Sequence, residues 1–324
     1  MSLRARPVLV APDSFKGTFG APAVAAAIAR GLRREGLDAD LCPVADGGEG
    51  TMAVLMAQLG GVIETVRAHD PLGREIDASY AHLGDGRHAI VEVAAASGLA
   101  LVAPGERDAE AASSAGTGEL VAAAIAAGAT HVLVAAGGSA TTDGGAGAIE
   151  EIEAAGGLRG ARLSVLCDVR TPFEQAACVF APQKGADAET VARLERRLRA
   201  FGVPEGLPMT GAAGGLAGGL WLRLDAVLVP GAAFVLDALD FDRRLAAAAA
   251  VIVGEGSLDV TSLHGKIAAE IAVRARQRGV PAHAIVGSCA IDRFDARILD
   301  LQEIREAGDE RALEDAAASL AGVI

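Results

Sequence analysis

The chain has 324 residues, which is the usual length of two domains, and it carries a formal net charge of −13. This acidity excludes the basic footprint of a nucleic-acid-binding protein and disfavours an anionic membrane surface, but it is compatible with phosphate ligands held by backbone amides and a metal ion. Aromatic residues are only 3% of the chain and glycines number 41, so the core must rest on aliphatic side chains and the chain must make many tight turns.

The first elements in chain order are two successive strand-loop-helix units. Residues 8–11 are a β-branched, apolar run that predicts a strand, and the Ala-rich residues 21–35 predict a helix after it. The same alternation recurs as a strand over 41–45 and a helix over 51–59. Such units build parallel sheets that bind ligands beyond the carboxyl ends of their strands. We therefore expect four loop residues to meet at that edge: Asp13, Lys16, Asp46 and Glu49.

The first of these loops, Ala11-Pro-Asp-Ser-Phe-Lys-Gly17, places a carboxylate and an ammonium close together in sequence. This pairing suits phosphoryl transfer, with Asp13 as a base or metal ligand and Lys16 as a phosphate clamp. The alternative is an ordinary helix entry, in which Asp13 or Ser14 caps the helix and Lys16 is solvated.

The second loop, Asp46-Gly47-Gly48-Glu49-Gly50-Thr51, has more glycines than an ordinary turn needs. Gly47 and Gly48 allow the backbone to approach a ligand closely, and Thr51 opens a helix whose N-terminal amides can receive an anion. The alternative is that Asp46 or Thr51 serves only as an N-cap.

The middle of the chain changes character. Alternating residues over 76–82 and 88–93 flank Asp85-Gly86, which predicts a β-hairpin. A helix over 118–127 and a strand over 131–135 are expected to follow.

The segment after that strand, residues 137–147, contains the densest glycine cluster: Gly-Gly-Ser-Ala-Thr-Thr-Asp-Gly-Gly-Ala-Gly. We call this segment the glycine-rich loop. Glycines interleaved with hydroxyl side chains and Asp143 are typical of a phosphate cradle with a carboxylate for a metal ion. The segment matches neither the P-loop nor the dinucleotide-binding fingerprint, so the two commonest nucleotide-binding folds are not supported. A loop without a function is the alternative.

The C-terminal part returns to the first pattern. It predicts a strand over 250–253, a polar loop over 254–265, a helix over 266–277 and a strand over 284–286. We therefore expect two α/β domains. A Rossmann- or flavodoxin-like parallel sheet is built from both chain ends, residues 1–66 and 240–324, and a mixed-sheet domain, residues 67–239, is inserted in it.

Cysteine and histidine patterns indicate neither zinc nor disulfides. The four cysteines are scattered without a CxxC pair, and the six histidines lack metal-ligand spacing.

Arg4 and Arg6 are not followed by a signal-peptide core, and the uncharged stretch 120–142 is interrupted by glycines. We expect a cytoplasmic protein.

In order along the chain, these segments resemble the bacterial type-I glycerate kinase family. The matching segments are APDSFKG (11–17), PVADGGEGT (43–51), DPLGR (70–74), VEVAAASGL (91–99), GTGEL (116–120), GGSATTDGGAG (137–147), CDV (167–169), PQKGA (182–186), AAGGLAGGL (212–220) and GEGSLD (254–259). The resemblance implies two α/β domains with the active site in the cleft between them. It further implies transfer of the γ-phosphate of ATP, with Mg²⁺, to D-glycerate, giving 2-phosphoglycerate.

The resemblance and the residue patterns together give a set of expected site residues. The expected catalytic residues are Asp13, Lys16, Asp46, Glu49, Asp168 and Lys184, with Asp46 and Asp168 as metal ligands. The expected substrate- or nucleotide-binding residues are Gly47, Gly48, Thr117, Gly137, Gly138, Ser139, Thr141, Asp143, Gly144, Gly145, Gly254, Glu255, Asp259 and Lys266. The expected partners are the small molecules ATP and D-glycerate, with no nucleic acid and no membrane, and a homodimer stays open.

Four positions depart from the family pattern. The family usually has Asn where this chain has Thr142 and Thr171, Arg where it has Ser257, and Gly where it has Ala181. An arginine lost from an anion site removes a bidentate clamp. Two alternatives therefore stay open: a kinase of a related small sugar acid, and a non-catalytic metabolite-binding relative. A nicotinamide-dependent oxidoreductase is the weakest option, because the first strand-loop-helix unit lacks the fingerprint.

Overall fold

The computed structural model describes residues 6–15, 19–259 and 266–324. The chain forms two compact units, which we call unit 1 (Met1–Asp46 and Ala232–Ile324) and unit 2 (Gly47–Gly231). Relative to the boundaries that the sequence suggests, residues 47–66 lie in unit 2 and residues 232–239 lie in unit 1. The strand Gly61–His69 belongs with unit 2 because it pairs along its whole length with the strand Glu75–Leu83.

The elements follow one another as alternating strands and helices along most of the chain. The strands are β1 (Val8–Pro12), β2 (Ala39–Leu41), β3 (Gly61–His69), β4 (Glu75–Leu83), β5 (His88–Glu92), β6 (His131–Ala136), β7 (Arg162–Cys167), β8 (Val227–Pro230), β9 (Ala250–Leu258), β10 (Ala282–Cys289) and β11 (Leu301–Glu306). The helices are α1 (Ala21–Arg34), α2 (Thr51–Leu59), α3 (Val93–Ser97), α4 (Ala115–Ala126), α5 (Ala146–Ala154), α6 (Ala176–Phe180), α7 (Ala188–Arg199), α8 (Leu216–Leu224), α9 (Gly231–Ala238), α10 (Phe241–Ala247), α11 (Ile267–Arg278), α12 (Arg293–Ile298) and α13 (Glu310–Leu320). Within the described residues, no helix is long and apolar enough to cross a membrane.

Unit 1 is built on a parallel sheet with the strand order β11-β10-β9-β1-β2. From β1 the chain moves outward to β2, whereas from β9 it moves the opposite way to β10 and β11. The order therefore reverses between β1 and β9, and in open α/β sheets ligands bind in the crevice at such a switch point. The apolar faces of α1 and α13 cover one side of this sheet, where Ile28, Leu32 and Leu313 are buried.

Two predicted elements of unit 1 differ from the observed ones. The strand expected over 41–45 begins earlier, as β2, and the chain then stays beside β1, because the Cys42 amide donates to the Val10 carbonyl (2.8 Å). The loop expected over 254–265 is a strand at its start, since β9 continues to Leu258 alongside β10. Residues 260–265 lie outside the described part of the chain.

Unit 2 has a mixed sheet with the strand order β3-β4-β5-β6-β7-β8. β3, β4 and β5 are antiparallel, and β5 through β8 are parallel. The predicted hairpin lies between β4 and β5, where Gly86 adopts a left-handed conformation (φ +67°) and the Asp85 carboxylate accepts hydrogen bonds from the Arg87 and His88 amides. One parallel sheet and one mixed sheet confirm the predicted α/β class.

A long segment between β7 and β8 has a small core of its own, and we call residues 173–201 the excursion. Phe173, Leu194 and Leu198 are buried there against a cluster of alanines. The excursion carries α6 and α7 and ends close to the glycine-rich loop after β6, because a Cβ placed on Gly144 would lie 3.2 Å from Leu198, Phe173 and Phe201.

Candidate functional site

In unit 1, a pocket of about 450 Å³ lies at the carboxyl ends of the sheet, at the switch point between β1 and β9. Asp13 follows β1, Asp46 follows β2 and its extension, and Glu255 lies on β9. Lys266, the N-cap residue that precedes α11, also lines the pocket. The pocket thus brings together four of the residues that the sequence singles out, whereas Lys16 lies outside the described residues.

Hydrogen bonds connect the Asp13 residue of the pocket to β9 and to Ser14. The Asp13 amide donates to the Gly254 carbonyl (2.8 Å), which joins the end of β1 to β9, and the Asp13 carboxylate accepts a hydrogen bond from the Ser14 amide (2.6 Å). Lys266 Nζ lies 4.0 Å from Asp259 Oδ1. Gly254 has a packing role here, since a Cβ at this position would lie 2.8 Å from that of Pro12.

The donor set of this pocket fits Mg²⁺. Its carboxylate oxygens from Asp13, Asp46 and Glu255 are the hard ligands that Mg²⁺ prefers. Among the described residues, no group of three or more His, Cys, Asp or Glu side chains is placed so that it could hold a metal ion by itself. This is the usual situation for Mg²⁺ in kinases, which takes one or two carboxylates and fills its other positions with water and substrate phosphates.

In unit 2, the strand ends of the parallel part of the sheet form a second cluster of predicted residues. A Cβ on Gly137 would lie 2.6 Å from Gly48 Cα and 3.3 Å from Asp168 Oδ2, and a Cβ on Gly138 would lie 3.6 Å from Glu49 Oε2. A Cβ would overlap the Gly48 backbone at Gly137, whereas Gly138 is favoured by its φ of +67°. The Asp168 and Glu49 carboxylates therefore lie beside backbone without side chains.

Glu92, at the end of β5, is a residue of this cluster that the sequence analysis did not select. Its Oε1 accepts hydrogen bonds from the Gly50 amide (3.0 Å) and the Met52 amide (2.8 Å) at the start of α2. Burial raises the pKa of Glu92, the two amides oppose that change, and the nearby Glu49 adds to it. Two of the amides at the start of α2, where we expected an anion to bind, therefore already donate hydrogen bonds to Glu92. Its position in the VEVAAASGL segment is the signal that could have identified it.

Asp143, expected to contact a ligand, is engaged inside the protein. Its carboxylate accepts hydrogen bonds from the Ser114 amide (2.9 Å) and hydroxyl (2.7 Å), the Gly145 amide (3.0 Å) and the Gly147 amide (3.2 Å). Thr117 is fully buried, and its hydroxyl donates to Ser97 Oγ (2.7 Å). Asp143 thereby holds the loop against α4 and α5. Thr117 joins α4 to Ser97, whose carbonyl accepts a hydrogen bond from the Ala140 amide of the loop (2.9 Å).

Other predicted glycines are required by backbone geometry. Gly144 and Gly145 have φ of +67° and +79° before α5, and Gly47 has φ of +97°. A Cβ on Gly47 would lie 2.6 Å from Gly231 Cα. These positions exclude other residues for conformational reasons, whether or not a ligand lies beside them.

Lys184 is almost fully buried, with 2% of its surface exposed. Its Nζ donates to the Thr141 carbonyl (2.5 Å) and to Ser139 Oγ (2.9 Å). Desolvation lowers the pKa of Lys184 to about 7, although the Asp143 and Asp168 carboxylates act in the opposite direction. The expected phosphate clamp is therefore bonded to the glycine-rich loop itself.

This burial predicts a pH dependence of stability. The unfolded chain keeps Lys184 protonated up to its ordinary pKa of 10.5, whereas the folded chain releases the proton near pH 7, so stability rises with pH between these values. Relative to Lys184→Met, the free energy of unfolding of the wild type should rise by up to about 1.4 kcal/mol per pH unit. Urea titrations of both proteins from pH 7 to 9.5 measure this slope. Parallel curves would contradict the prediction.

The comparisons with known proteins agree with this picture. The model of the "Glycerate kinase family" matches residues 8–157 and 149–321. A glycerate kinase of Bacillus subtilis is 39% identical over 88% of this chain and 86% of its own length. A glycerate 2-kinase of Escherichia coli is 36% identical over 88% of this chain and 86% of its own length. A glycerate kinase of Halalkalibacterium halodurans is 36% identical over 98% of this chain and 97% of its own length.

A solved structure is similar as well. The crystal structure of a protein assigned as glycerate kinase 2 from Salmonella typhimurium LT2 matches with a TM-score of 0.81 and 32% identity, covering 98% of both chains. Similarity of this extent in sequence and in fold covers both units. The chain belongs to the glycerate kinase family.

Proposed function

We propose that this protein transfers the γ-phosphoryl group of ATP to a hydroxyl of D-glycerate, forming 2-phosphoglycerate with the help of Mg²⁺. Membership of the family supports a kinase acting on this acid. The observation that carries the proposal is the pocket of unit 1, where Asp13, Asp46 and Glu255 face Lys266 at the switch point of a parallel sheet. Phosphoryl transfer needs mainly positioning and charge neutralisation, and this pocket contains groups for both.

In the proposed reaction, the acceptor hydroxyl oxygen bonds to the γ-phosphorus while the bond from that phosphorus to the β–γ bridging oxygen breaks, leaving ADP. A pocket carboxylate, Asp13 or Asp46, takes the hydroxyl proton and later returns it to solvent. Asp46 is the proposed ligand of Mg²⁺, with Asp168 of unit 2 as the alternative. When bound, the ion neutralises phosphate charge. Lys266 attracts the anionic groups of the substrates.

For unit 2 we propose that the backbone of the glycine-rich loop receives an anionic group of a substrate. Gly137 and Gly138 place backbone without side chains next to the Asp168 and Glu49 carboxylates, an arrangement that suits a metal-bound phosphate. We assign Asp143 and Thr117 to support of the loop, because their polar atoms are already bonded within the protein.

A coupled ADP-release assay with ATP, MgCl₂ and D-glycerate tests the proposal. Turnover should exceed the rate without acceptor by several orders of magnitude, since positioning alone supplies effective molarities of about 10⁵ M or more. Proton-coupled ³¹P NMR of the product identifies the hydroxyl: a phosphate on the secondary carbon couples to one proton and gives a doublet, whereas one on the primary carbon gives a triplet. A rate equal to the no-acceptor background would reject the kinase proposal, and a triplet would reject the 2-phosphoglycerate assignment.

A related sugar acid is the second candidate acceptor, because one departure from the family pattern lies in the pocket. Ser257 lines it, where the resemblance leads us to expect Arg, and the Ser288 hydroxyl donates to the Ser257 hydroxyl (3.2 Å). A panel of three- to six-carbon hydroxy acids separates the two candidates by kcat/KM. Thermal stabilisation by ligands without turnover on any of them would instead indicate a non-catalytic binder.

A further inference from the structure

Two cations from the excursion hold successive carbonyls of the glycine-rich loop. Lys184 Nζ donates to the Thr141 carbonyl (2.5 Å), and the Arg197 guanidinium donates to the Thr142 carbonyl (2.7 Å). Lys184 is itself fixed in place, because Gly185 after it has φ of +95° and a Cβ there would lie 2.7 Å from the Arg107 carbonyl oxygen. Both carbonyls are thus held by side-chain donors, and the bond from the Arg197 guanidinium belongs to the stronger, charge-assisted class.

The direction of these carbonyls determines the direction of the following amides. All described peptide bonds are trans, and in a trans peptide the N–H points opposite to the preceding C=O. The amides of Thr142 and Asp143 therefore point away from the two cations. Among the described residues none accepts a hydrogen bond from either amide.

The hydroxyls of the same segment are also unused. Thr141 and Thr142 are completely buried, and within the described part of the chain neither Oγ1 has a hydrogen-bond partner. Buried polar groups without partners are rare in folded proteins and point to a missing ligand or water. The segment Thr141–Asp143 thus contains unpaired donors of the kind that an oxyanion accepts, and Asp143, with 8% of its surface exposed, is the residue of the three through which a ligand can reach it.

We propose that Lys184 and Arg197 are positioning residues: by holding the Thr141 and Thr142 carbonyls, they fix the backbone of the segment so that the Asp143 amide is directed at an oxyanion of a bound substrate. The inference rests on the proposed kinase function for the identity of that substrate, whose oxyanion is a phosphate of ATP or the carboxylate of the acid. Lys184 then acts through the loop, since its ammonium is buried and bonded to Ser139 and Thr141.

Hydrogen exchange of the ligand-free protein tests the positioning role without any reference to activity. In Lys184→Met and Arg197→Met, peptides covering residues 137–147 should exchange about 10-fold faster than in the wild type. Arg197→Lys should give an intermediate rate. Arg193→Met is the matched control, because Arg193 lies one turn earlier on α7 and pairs with Glu110 and Glu189, and among the described residues its hydrogen bonds and ion pairs do not include the loop. It should leave exchange at 137–147 within about 2-fold.

Hydrogen exchange measured with each substrate then identifies the oxyanion. In the wild type, either ATP or D-glycerate should slow exchange of the 137–147 peptides, and the one that does so supplies the oxyanion. The same ligand should protect Lys184→Met and Arg197→Met less, with kcat/KM reduced about 100-fold. Unchanged exchange in the ligand-free variants would overturn the proposal and indicate direct ligand contact by Lys184. Equal effects of Arg193→Met and Arg197→Met would overturn it as well. If the 137–147 peptides exchange faster in Lys184→Met and Arg197→Met but the wild type phosphorylates no acid, the proposed kinase function is rejected. The role of Lys184 and Arg197 in holding the loop is then retained.

Discussion

Replacing Asp13 or Asp46 by Asn should lower kcat by about 10²- to 10⁴-fold, which is the range that general acid–base groups contribute. Asn keeps the size of the side chain but can neither take a proton from a hydroxyl nor supply a charged ligand to Mg²⁺. Both carboxylates line the pocket at the switch point of unit 1 and are mostly buried, with 8% of each residue exposed. Steady-state kinetics with D-glycerate and ATP measure the loss.

The magnesium dependence of these variants separates the two roles. If a residue is the base, kcat falls while the Mg²⁺ concentration for half-maximal activity stays the same; if it is a metal ligand, that concentration rises. Asp38→Asn is the control, since Asp38 is exposed and precedes β2, at the amino end of the same sheet. Activity within 3-fold of the wild type in both Asp13→Asn and Asp46→Asn would exclude this pocket as the catalytic centre.

Replacing Gly219 by Ala should destabilise the protein by about 3 kcal/mol or more, because overpacking a close backbone contact forces the backbone to move. Gly219 lies in the middle of α8, where Ala would by itself be favoured by about 1 kcal/mol. However, a Cβ there would lie 1.9 Å from the Gly144 carbonyl oxygen of the glycine-rich loop. The cost should therefore appear as a Tm lowered by about 6–12 °C and as reduced turnover.

Gly105→Ala is the matched control in the same unit. Nothing lies within 4 Å of a Cβ at Gly105. Its substitution should change the free energy of unfolding by no more than about 0.5 kcal/mol. Differential scanning calorimetry compares the two variants. A Gly219→Ala protein as stable as the wild type would show that the contact between α8 and the glycine-rich loop is looser than the structure indicates.

Much of the fold is predictable because many of its strands, helices and turns depend on residues that are close together in the sequence. The apolar run over 8–11 and the Ala-rich residues after Gly20 form β1 and α1 close to the expected bounds. The hairpin at Asp85-Gly86 follows from turn chemistry that depends on two residues. The sequence does not predict the extension of β9 to Leu258, because the glycines and the serine in 254–257 are typical of a loop. Pairing with β1 and β10 makes these residues a strand.

The candidate site was predictable as a set of residues but not as a set of contacts. Of the four loop residues expected to meet at the sheet edge, Asp13 and Asp46 line one pocket together with Glu255 and Lys266. Glu49 lies in unit 2, and Lys16 lies outside the described residues. Nothing local in the sequence distinguishes Arg197 from the other arginines of α7, and only its bond to the Thr142 carbonyl does so. Ligand contact by these residues stays a prediction.

By itself, the sequence determined the α/β class, the position of the glycine-rich loops and the resemblance to a kinase family, because periodicity, glycine content and ordered motifs are local properties of the chain. Only the tertiary structure decided what each polar side chain bonds to. Asp143 and Lys184 look alike as charged residues in glycine-rich segments, yet one accepts hydrogen bonds from Ser114 and backbone amides and the other holds the Thr141 carbonyl. Those contacts join residues up to 43 positions apart, and a buried charge is stabilised by whatever the fold places beside it.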